Sequence, residues 1–432
     1  MVSPPIAASN PILCQMIRDR IFAAPDRRIP FVEFMELALY HPQQGYYATN
    51  RDQAGIQTDF LTSPHLSHDF GELLAVQFVD FWQTLDRPNP FTLVEMGAGQ
   101  GLLVQDIVRY LHRHHFACFE ALQYIIIEKS AGLIAAQQER LQPLIDRWGK
   151  LYWRSWDEIL PESIVGCCFS NELVDAFPVH WIQVGADEDQ IGEQDNWREQ
   201  MSDQLQEVYV TVADGGSEPN CKDDEGDSDD PSMVKFSEVL GEPSSPKLKA
   251  YFDGLGIDLL SDRYLKPYRT EVNLAAKDWL RTVADRLQRG YLLTIDYGYP
   301  AHRYYSPTRN QGTLQCYYQH QHHSDPYQAI GRQDITAHVN FTALKQWGEQ
   351  CGLQTVGLTQ QGLFLMALGL GDRLTALSQP DPDLTVQTIL QRRETLHALI
   401  DPNGLGNFGV LIQSKHLTAA DLPKGLTVPP LF

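Results

Sequence analysis

The sequence predicts an α/β protein built on a mostly parallel β-sheet with helices on both faces. Three observations support this fold. Between residues 91 and 170, short apolar runs alternate with helical patterns, a glycine-rich turn follows the first run, and acidic or amide side chains follow the ends of others. Such alternation is typical of parallel strands, which are buried on both faces and joined by crossover helices.

The first 85 residues are predicted to form a helical N-terminal region that contributes to the ligand site. Apolar residues recur at helical spacing between residues 11 and 40, where Pro25 and Pro30 divide the pattern into two helices. A turn is predicted at His41–Tyr47 and a further helix over residues 66–85.

The sheet is predicted to contain seven strands. They are the apolar segments Phe91–Met96, Tyr124–Ile127, Leu151–Trp153, Ile164–Phe169, Tyr291–Ile295, Thr355–Leu358 and Val410–Gln413. Helical patterns lie between them, at Leu102–His112, after Ile127 up to Arg147, at Val272–Leu287, at residues 341–351 and within residues 371–400.

One acidic segment interrupts this series. Residues 187–230 hold 16 acidic residues against Arg198 and Lys222, and the whole chain has a net charge of −21. A segment so charged and so poor in apolar residues predicts a solvated loop, and the spacing of an EF-hand calcium loop is absent. Val179–Val184 and Glu207–Val212 are predicted to be partner strands at this insertion.

The predicted organisation is therefore one core with insertions. The first part of the core covers residues 86–184, and a partly disordered acidic insertion covers residues 185–262. The fifth strand lies in residues 263–300, a substrate-side or lid insertion in residues 301–350, and the last strands and helices in residues 351–432.

Composition excludes several classes of protein. Only 34 Lys and Arg residues stand against 55 Asp and Glu residues, which argues against a nucleic-acid binder. The sequence contains no uninterrupted apolar stretch of about 18 residues, so no transmembrane helix is predicted. The start lacks the pattern of a secretory signal. The seven cysteines form no CxxC pair, as expected for reduced thiols, so we expect a cytoplasmic protein.

The glycine-rich turn, Gly97-Ala98-Gly99-Gln100-Gly101, follows the strand that carries Glu95. Glycine lets the backbone turn tightly and approach a ligand closely. In the dinucleotide-binding pattern GxGxxG the third glycine comes one position later, and a pyrophosphate disfavours a nearby carboxylate. Glu95 instead suits a cationic ligand such as S-adenosylmethionine, and a purely structural turn is the alternative.

Two more strand ends carry polar side chains that would line the same edge of the sheet. Glu128 follows the second strand, where a carboxylate accepts hydrogen bonds from the ribose hydroxyls of a nucleoside. Asn171, Glu172 and Asp175 follow the fourth strand, and two carboxylates suit a guanidinium, which is planar, always charged and rich in donors. A helix cap formed by Asn171 or Asp175 is the alternative.

Several short motifs occur in a fixed order along the chain. They are Tyr40-His41-Pro42 with Gly45-Tyr46-Tyr47, Asp59-Phe60-Leu61-Thr62-Ser63-Pro64 with Phe70-Gly71-Glu72, Asn171-Glu172 through Val179, Asp296-Tyr297-Gly298, Gly312-Thr313-Leu314 and Asp334 through Val339. Together with the glycine turn, these motifs resemble the MidA family, which includes the mitochondrial complex I assembly-factor arginine methyltransferase and bacterial relatives. The similarity spans roughly residues 10–415 apart from much of 185–262.

The resemblance implies a class I methyltransferase fold that uses S-adenosyl-L-methionine and releases S-adenosyl-L-homocysteine. The residues it places at the cofactor are Thr62, Ser63, Pro64, Glu95, Gly97, Gly99, Gly101, Glu128, Trp156, Asp157 and Asn171. Glu172 and Asp175 are the candidate catalytic residues, which would contact a substrate arginine.

The leading hypothesis is methyl transfer to an arginine of a protein, by resemblance a subunit of a complex I-like NADH or plastoquinone-linked dehydrogenase. The other expected partner is a second copy of the chain in a homodimer; neither nucleic acid nor membrane insertion is expected. The alternatives are an assembly chaperone that binds the cofactor without turnover, a small-molecule methyltransferase and, more remotely, an NAD-linked oxidoreductase. His320, His322 and His323 lack convincing metal-ligand spacing, so we predict no metal.

Overall fold

The computed structural model describes residues 8–49, 62–185, 204–213, 234–319, 321–379, 385–417 and 422–427. Motif residues Asp59, Phe60 and Leu61, the acidic segment apart from residues 204–213, and His320 lie outside these ranges. The described residues divide into two compact units. The large-sheet unit comprises Leu61–Asp175, Ala276–Tyr299 and Val339–Phe432, and the small-sheet unit comprises Met1–Phe60, Ala176–Ala275 and Pro300–His338.

The large-sheet unit is built on a seven-stranded sheet. Its strands are β1 (Phe91–Met96), β2 (Leu122–Ile127), β3 (Leu151–Trp153), β4 (Ile164–Asn171), β5 (Leu287–Asp296), β6 (Gln354–Gln360) and β7 (Gly409–Lys415). Their order is β6-β7-β5-β4-β1-β2-β3. The pairs among β1 to β5 are parallel, whereas β7 runs antiparallel to both β5 and β6. The predicted mostly parallel, seven-stranded sheet is confirmed.

Apolar burial explains why these segments are strands and helices. All six residues of β1 are buried, as expected for a central strand covered on both faces. Helix Leu102–His114 buries Leu103, Val104, Ile107, Val108 and Leu111, which recur at helical spacing. The unit's helices are Ser63–Leu66, His68–Thr84, Leu102–His114, Phe116–Ala121, Ala131–Trp148, Ala275–Arg286, Phe341–Gln350, Gln361–Ala367, Leu370–Ala376 and Val386–Ile400.

Short elements complete this unit. Gly298–Tyr299 pairs in parallel with Val339–Asn340, and single 3₁₀ turns occur at Trp156–Glu158, Leu405–Asn407 and Lys424–Leu426. The helix predicted at Val272–Leu287 is wrong at its start. Val272 instead ends a strand, in which it pairs with His180, and the helix begins at Ala275.

The small-sheet unit contains a five-stranded sheet. Leu205–Val212 pairs antiparallel with His180–Val184, which confirms the predicted partner strands. The other strands are Ile29–Pro30, Phe236–Gly241 and Tyr268–Val272. A second sheet joins Gln321–His323, Gln315–Tyr318 and Asp334–Thr336. The helices of this unit are Pro11–Ala23, Phe31–Tyr40, Tyr46–Thr49, Pro246–Leu255 and Ala301–Tyr304.

A buried carboxylate explains the motif Gly312-Thr313-Leu314 in the small-sheet unit. Glu271 is almost fully buried, and its carboxylate accepts hydrogen bonds from the backbone N–H groups of Thr313 (2.8 Å) and Leu314 (3.0 Å). The hydroxyls of Thr313 and Tyr304 donate to it as well. Gly312 has a φ of +74°, and a Cβ there would lie 2.0 Å from Glu271 Oε1. Only glycine therefore permits this approach.

We expect Gly312→Ala to lower the free energy of unfolding by about 2 to 3 kcal/mol, because it adds left-handed strain and disturbs the bonds to Glu271. Gly256→Ala is the matched control. Gly256 has a similar φ of +66°, but apart from the residue itself and its chain neighbours no described atom lies within 4 Å of the position of its Cβ. It should cost only about 1 kcal/mol, the strain alone. Urea unfolding measures both variants, and equal losses would contradict a role for the contact with Glu271.

Among the residues that the structure describes, no helix combines the length and the apolar character that a membrane crossing requires.

Candidate functional site

The glycine turn connects β1 to helix Leu102–His114 at the carboxyl edge of the sheet. Gly97, Gly99 and Gly101 all have positive φ values, of +70°, +53° and +73°. A Cβ on Gly97 would come within 2.8 Å of Leu173 Cδ1, so the turn packs closely against the loop after β4. At Gly99, apart from the residue itself and its chain neighbours, no described atom lies within 4 Å of the Cβ position. The backbone at Gly99 is therefore the part of the turn that a ligand can approach.

Glu95, the last residue but one of β1, is buried beneath this turn. Tyr124, from β2, donates its hydroxyl hydrogen to Glu95 Oε2 at 2.6 Å. Burial raises the pKa of Glu95 to about 8; the bond from Tyr124 opposes this shift, and nearby Glu128 adds to it. Because a neighbouring positive charge favours the ionised form, this carboxyl suits a cationic group. Sequence analysis did not identify Tyr124, which looks like an ordinary apolar strand residue.

Glu128 lies directly after β2. Its Oε1 accepts hydrogen bonds from the backbone N–H groups of Lys129 (2.9 Å) and Ser130 (3.1 Å). Ser130 is the N-cap of helix Ala131–Trp148. Burial raises the pKa of Glu128, and these N–H donors oppose the shift. The carboxyl is thus held by local backbone at the same sheet edge as the glycine turn.

Thr62, Ser63 and Pro64 also belong to the large-sheet unit and begin the short helix Ser63–Leu66. The Thr62 hydroxyl and His65 Nδ1 are 2.6 Å apart. Ser63 is buried, its hydroxyl accepts a hydrogen bond from Gln361 Nε2 (3.2 Å), and its backbone N–H bonds the carboxylate of Glu172. The structure therefore brings this predicted segment to the predicted catalytic loop.

The loop 171–175 follows β4. Asn171 Nδ2 donates to Glu172 Oε1 at 3.0 Å, while Asn171 Oδ1 is buried without a hydrogen-bond partner among the described residues. Glu172 has a φ of +52°, which is unusual for a residue with a Cβ and often marks a functional position. Burial, and then the neighbouring Asp175, raise the pKa of Glu172 to about 8. The predicted residues Asn171, Glu172 and Asp175 thus form one cluster.

Two residues of the motif Asp296-Tyr297-Gly298 complete the cluster, and sequence analysis did not assign them to the site. Fully buried Asp296 accepts hydrogen bonds from the backbone N–H groups of Val174 (2.9 Å), Asp175 (3.4 Å) and Tyr297 (2.9 Å). Tyr297 donates its hydroxyl hydrogen to Asp175 Oδ2 at 2.6 Å. Burial, Asp175 and Glu172 raise the pKa of Asp296 well above its usual value. The position of Asp296 at the end of β5 was the signal that could have identified it.

Trp156 and Asp157 stand apart from these contacts. They lie in the turn Trp156–Glu158, Asp157 is exposed, and the carbonyl of Trp156 accepts a hydrogen bond from Arg286 Nε (3.1 Å). Arg286 precedes the amino end of β5, opposite the edge that carries the glycine turn. Within the described part of the chain, no hydrogen bond joins either residue to Glu95, Glu128 or loop 171–175.

Comparisons with known proteins identify the family of the chain. A family model described as "Putative S-adenosyl-L-methionine-dependent methyltransferase" matches residues 73–359. The mitochondrial protein arginine methyltransferase NDUFAF7 homolog of Drosophila melanogaster is 28% identical over 391 residues, covering 84% of this chain and 76% of the relative. The human mitochondrial protein arginine methyltransferase NDUFAF7 is 26% identical, and the similarity covers 95% of this chain and 86% of the human protein.

A solved structure extends the similarity to the whole chain. The COG1565 superfamily member from Burkholderia thailandensis, bound to S-adenosyl-homocysteine, has a TM-score of 0.77 and 29% identity, with 99% of each chain covered. The predicted class I methyltransferase fold and the predicted cofactor, S-adenosyl-L-methionine, are confirmed. The chain therefore belongs to this family of S-adenosyl-L-methionine-dependent methyltransferases, as its resemblance to the MidA family predicts.

Proposed function

We propose that the enzyme methylates an arginine side chain of a protein. The observation that carries this proposal is the cluster of Glu172, Asp175 and Asp296 beside the glycine turn. Neighbouring carboxyl groups repel one another when they are ionised, so the cluster favours a cationic substrate group. A guanidinium offers several coplanar donors and a permanent charge, which suits such a cluster better than an ammonium does. The names of the relatives support the same substrate.

The donor and acceptor set fits the cofactor. Asn171 Oδ1 is a buried acceptor without a partner among the described residues, and Gly99 leaves room for close approach. We propose that Glu95 and Asn171 hold the cationic amino-acid part of the cofactor and that Glu128 holds its ribose. We propose that Thr62, Ser63 and Pro64 contact the cofactor beside loop 171–175. Trp156 and Asp157 are proposed to contact its adenine.

The proposed mechanism assigns positioning and charge to this chain's residues. The bound cofactor supplies a methyl group on a sulfonium. Glu172 and Asp175 orient the guanidinium and offset its charge, and Tyr297 holds Asp175 through its hydroxyl. Because arginine is protonated at neutral pH, its proton leaves during or after the attack, and Glu172 or Asp175 accepts it.

The physiological target, location and assembly are also proposed. The resemblance to the MidA family supports a substrate that is a subunit of a complex I-like NADH or plastoquinone-linked dehydrogenase. The described cysteines are free thiols, which supports a reducing compartment such as the cytoplasm. A homodimer is proposed as the assembly, and light scattering of the purified chain tests it.

Incubation with radiolabelled S-adenosyl-L-methionine and a cell lysate tests the function. We expect one labelled protein band with the wild-type enzyme, methylarginine on acid hydrolysis, and loss of the label with Glu172→Gln. Glu139→Gln is the matched control, because Glu139 is exposed on helix Ala131–Trp148 and should leave labelling unchanged.

Other outcomes would contradict the proposal in distinct ways. Label in a small molecule alone would show a small-molecule methyltransferase. Calorimetric binding of S-adenosyl-L-methionine without any labelled product would favour a chaperone that binds the cofactor without turnover. Labelled lysine or histidine in place of methylarginine would retain a protein substrate and overturn the guanidinium assignment.

A further inference from the structure

Gln137 is a fully buried polar residue that no motif identified. It lies on helix Ala131–Trp148, nine residues after Glu128. Its Nε2 donates to the carbonyl oxygen of Gly99 at 2.8 Å and to Glu128 Oε2 at 3.4 Å. Its Oε1 accepts a hydrogen bond from Trp153 Nε1, at the end of β3, at 2.8 Å. One amide thus contacts the glycine turn, the carboxylate after β2 and the end of β3.

The contact with Trp153 sets the orientation of this amide. An indole nitrogen donates and never accepts a hydrogen bond, so the amide oxygen of Gln137 must face Trp153. The amide nitrogen, with two hydrogens, then faces the Gly99 carbonyl and Glu128, and both of these accept. Among the uncharged side chains, glutamine supplies this combination of one acceptor and two donors at this length.

Both carboxylate oxygens of Glu128 accept hydrogen bonds from the protein. Lys129 and Ser130 donate their backbone N–H groups to Oε1, while Gln137 donates to Oε2. A carboxylate oxygen accepts more than one hydrogen bond, so Glu128 retains acceptor capacity for ligand hydroxyls. Its direction, however, is set by these three donors.

We infer that Gln137 is a positioning residue that ties the glycine turn to Glu128 and aims this carboxylate at the ribose hydroxyls of the cofactor. This inference rests on the proposed assignment of Glu128 to the ribose. Gln137 itself does not contact the reacting atoms. Its effect is on the spacing and direction of two groups that bind different parts of the same ligand.

The test compares two ligands by calorimetry: S-adenosyl-homocysteine and its analogue that lacks both ribose hydroxyls. Gln137→Glu keeps the shape of the side chain, removes the donor to Glu128 and adds a like charge beside it. Gln137→Met removes all the polar contacts and serves where the charged variant does not fold. Gln142→Glu is the matched control, because Gln142 is exposed on the same helix and donates a local hydrogen bond to Asp146.

We expect both Gln137 variants to bind S-adenosyl-homocysteine about 10- to 100-fold more weakly, with a much smaller loss for the analogue. The wild-type preference for ribose hydroxyls should shrink as it does in Glu128→Gln, and combining Glu128→Gln with Gln137→Met should add little. Gln142→Glu should bind both ligands as the wild type does. Affinities within twofold of wild type, or equal losses for both ligands, would overturn the positioning role.

Glu128→Gln separates this inference from its premise. If that variant loses the preference for ribose hydroxyls and the Gln137 variants keep it, only the inference on Gln137 fails. If Glu128→Gln itself keeps the wild-type preference, the ribose assignment fails, and the role of Gln137 fails with it.

Discussion

Glu172→Gln is expected to lower kcat/KM for methyl transfer about 100- to 1,000-fold, because it removes both a charge partner and a proton acceptor from the substrate site. Glutamine keeps the size of the side chain and can still accept a hydrogen bond from the backbone of Ser63. A loss of this size would therefore report the charge of Glu172 and not its packing. Initial rates with the labelled protein substrate measure the effect, with Glu139→Gln as the control.

The pH dependence of the wild-type enzyme gives an independent view of the same group. Burial and Asp175 raise the pKa of Glu172 to about 8, so the carboxyl is largely protonated at pH 6 and becomes ionised as the pH rises. Arginine stays protonated throughout this range. If ionised Glu172 is the active form, kcat/KM rises about tenfold per pH unit below pH 8 and levels off above it.

Cofactor binding must be kept saturating in that experiment. Burial also raises the pKa of Glu95 to about 8, so the affinity for the cationic cofactor should itself increase with pH. At saturating cofactor, the rise in kcat/KM should disappear in Glu172→Gln. A rise of the same steepness in that variant would contradict the assignment and point to another titrating group.

Asp69→Ala is expected to lower the free energy of unfolding by about 3–5 kcal/mol, because it leaves two arginines facing an empty, buried position. Asp69, at the start of helix His68–Thr84, is completely buried. It accepts hydrogen bonds from Arg373 (2.6 Å) and, through both oxygens, from Arg392 (2.6 and 2.8 Å). The network therefore fastens helices Leu370–Ala376 and Val386–Ile400 to a helix from the start of the unit.

Chemical unfolding at pH 7 measures this loss, and Asp278→Ala is the matched control. Asp278 forms an ion pair of 2.8 Å with Arg281, but both side chains are more than half exposed, so the loss should stay below about 1 kcal/mol. Equal losses in the two variants would show that burial adds nothing to the Asp69 network.

Burial alone would raise the pKa of Asp69, but the hydrogen bonds from the two arginines hold this pKa below its usual range. The difference between wild type and Asp69→Asn should therefore persist from pH 7 to 5 and shrink only on acidification below about pH 4.

Much of the site could be predicted because strand ends are visible in the sequence. Parallel strands are apolar runs, and the residues that follow them meet at one edge of the sheet. Glu95, the glycines, Glu128 and loop 171–175 were identified in this way. Trp156 was also identified as following a strand, but its described contact leads to Arg286.

By itself, the sequence determined the seven strands of the large sheet, the mostly parallel character of that sheet and the identity of the residues at its carboxyl edge. These properties depend on local periodicity and on the spacing of glycines and carboxylates, which neighbouring residues specify. Only the tertiary structure decided that Tyr124 bonds Glu95, that Asp296 and Tyr297 hold Asp175, and that Gln137 joins the glycine turn to Glu128. Such contacts join residues that are far apart in the chain; Asp69 and Arg373, for example, are separated by 304 positions. No local sequence pattern indicates which polar side chains will meet when the chain folds and buries them.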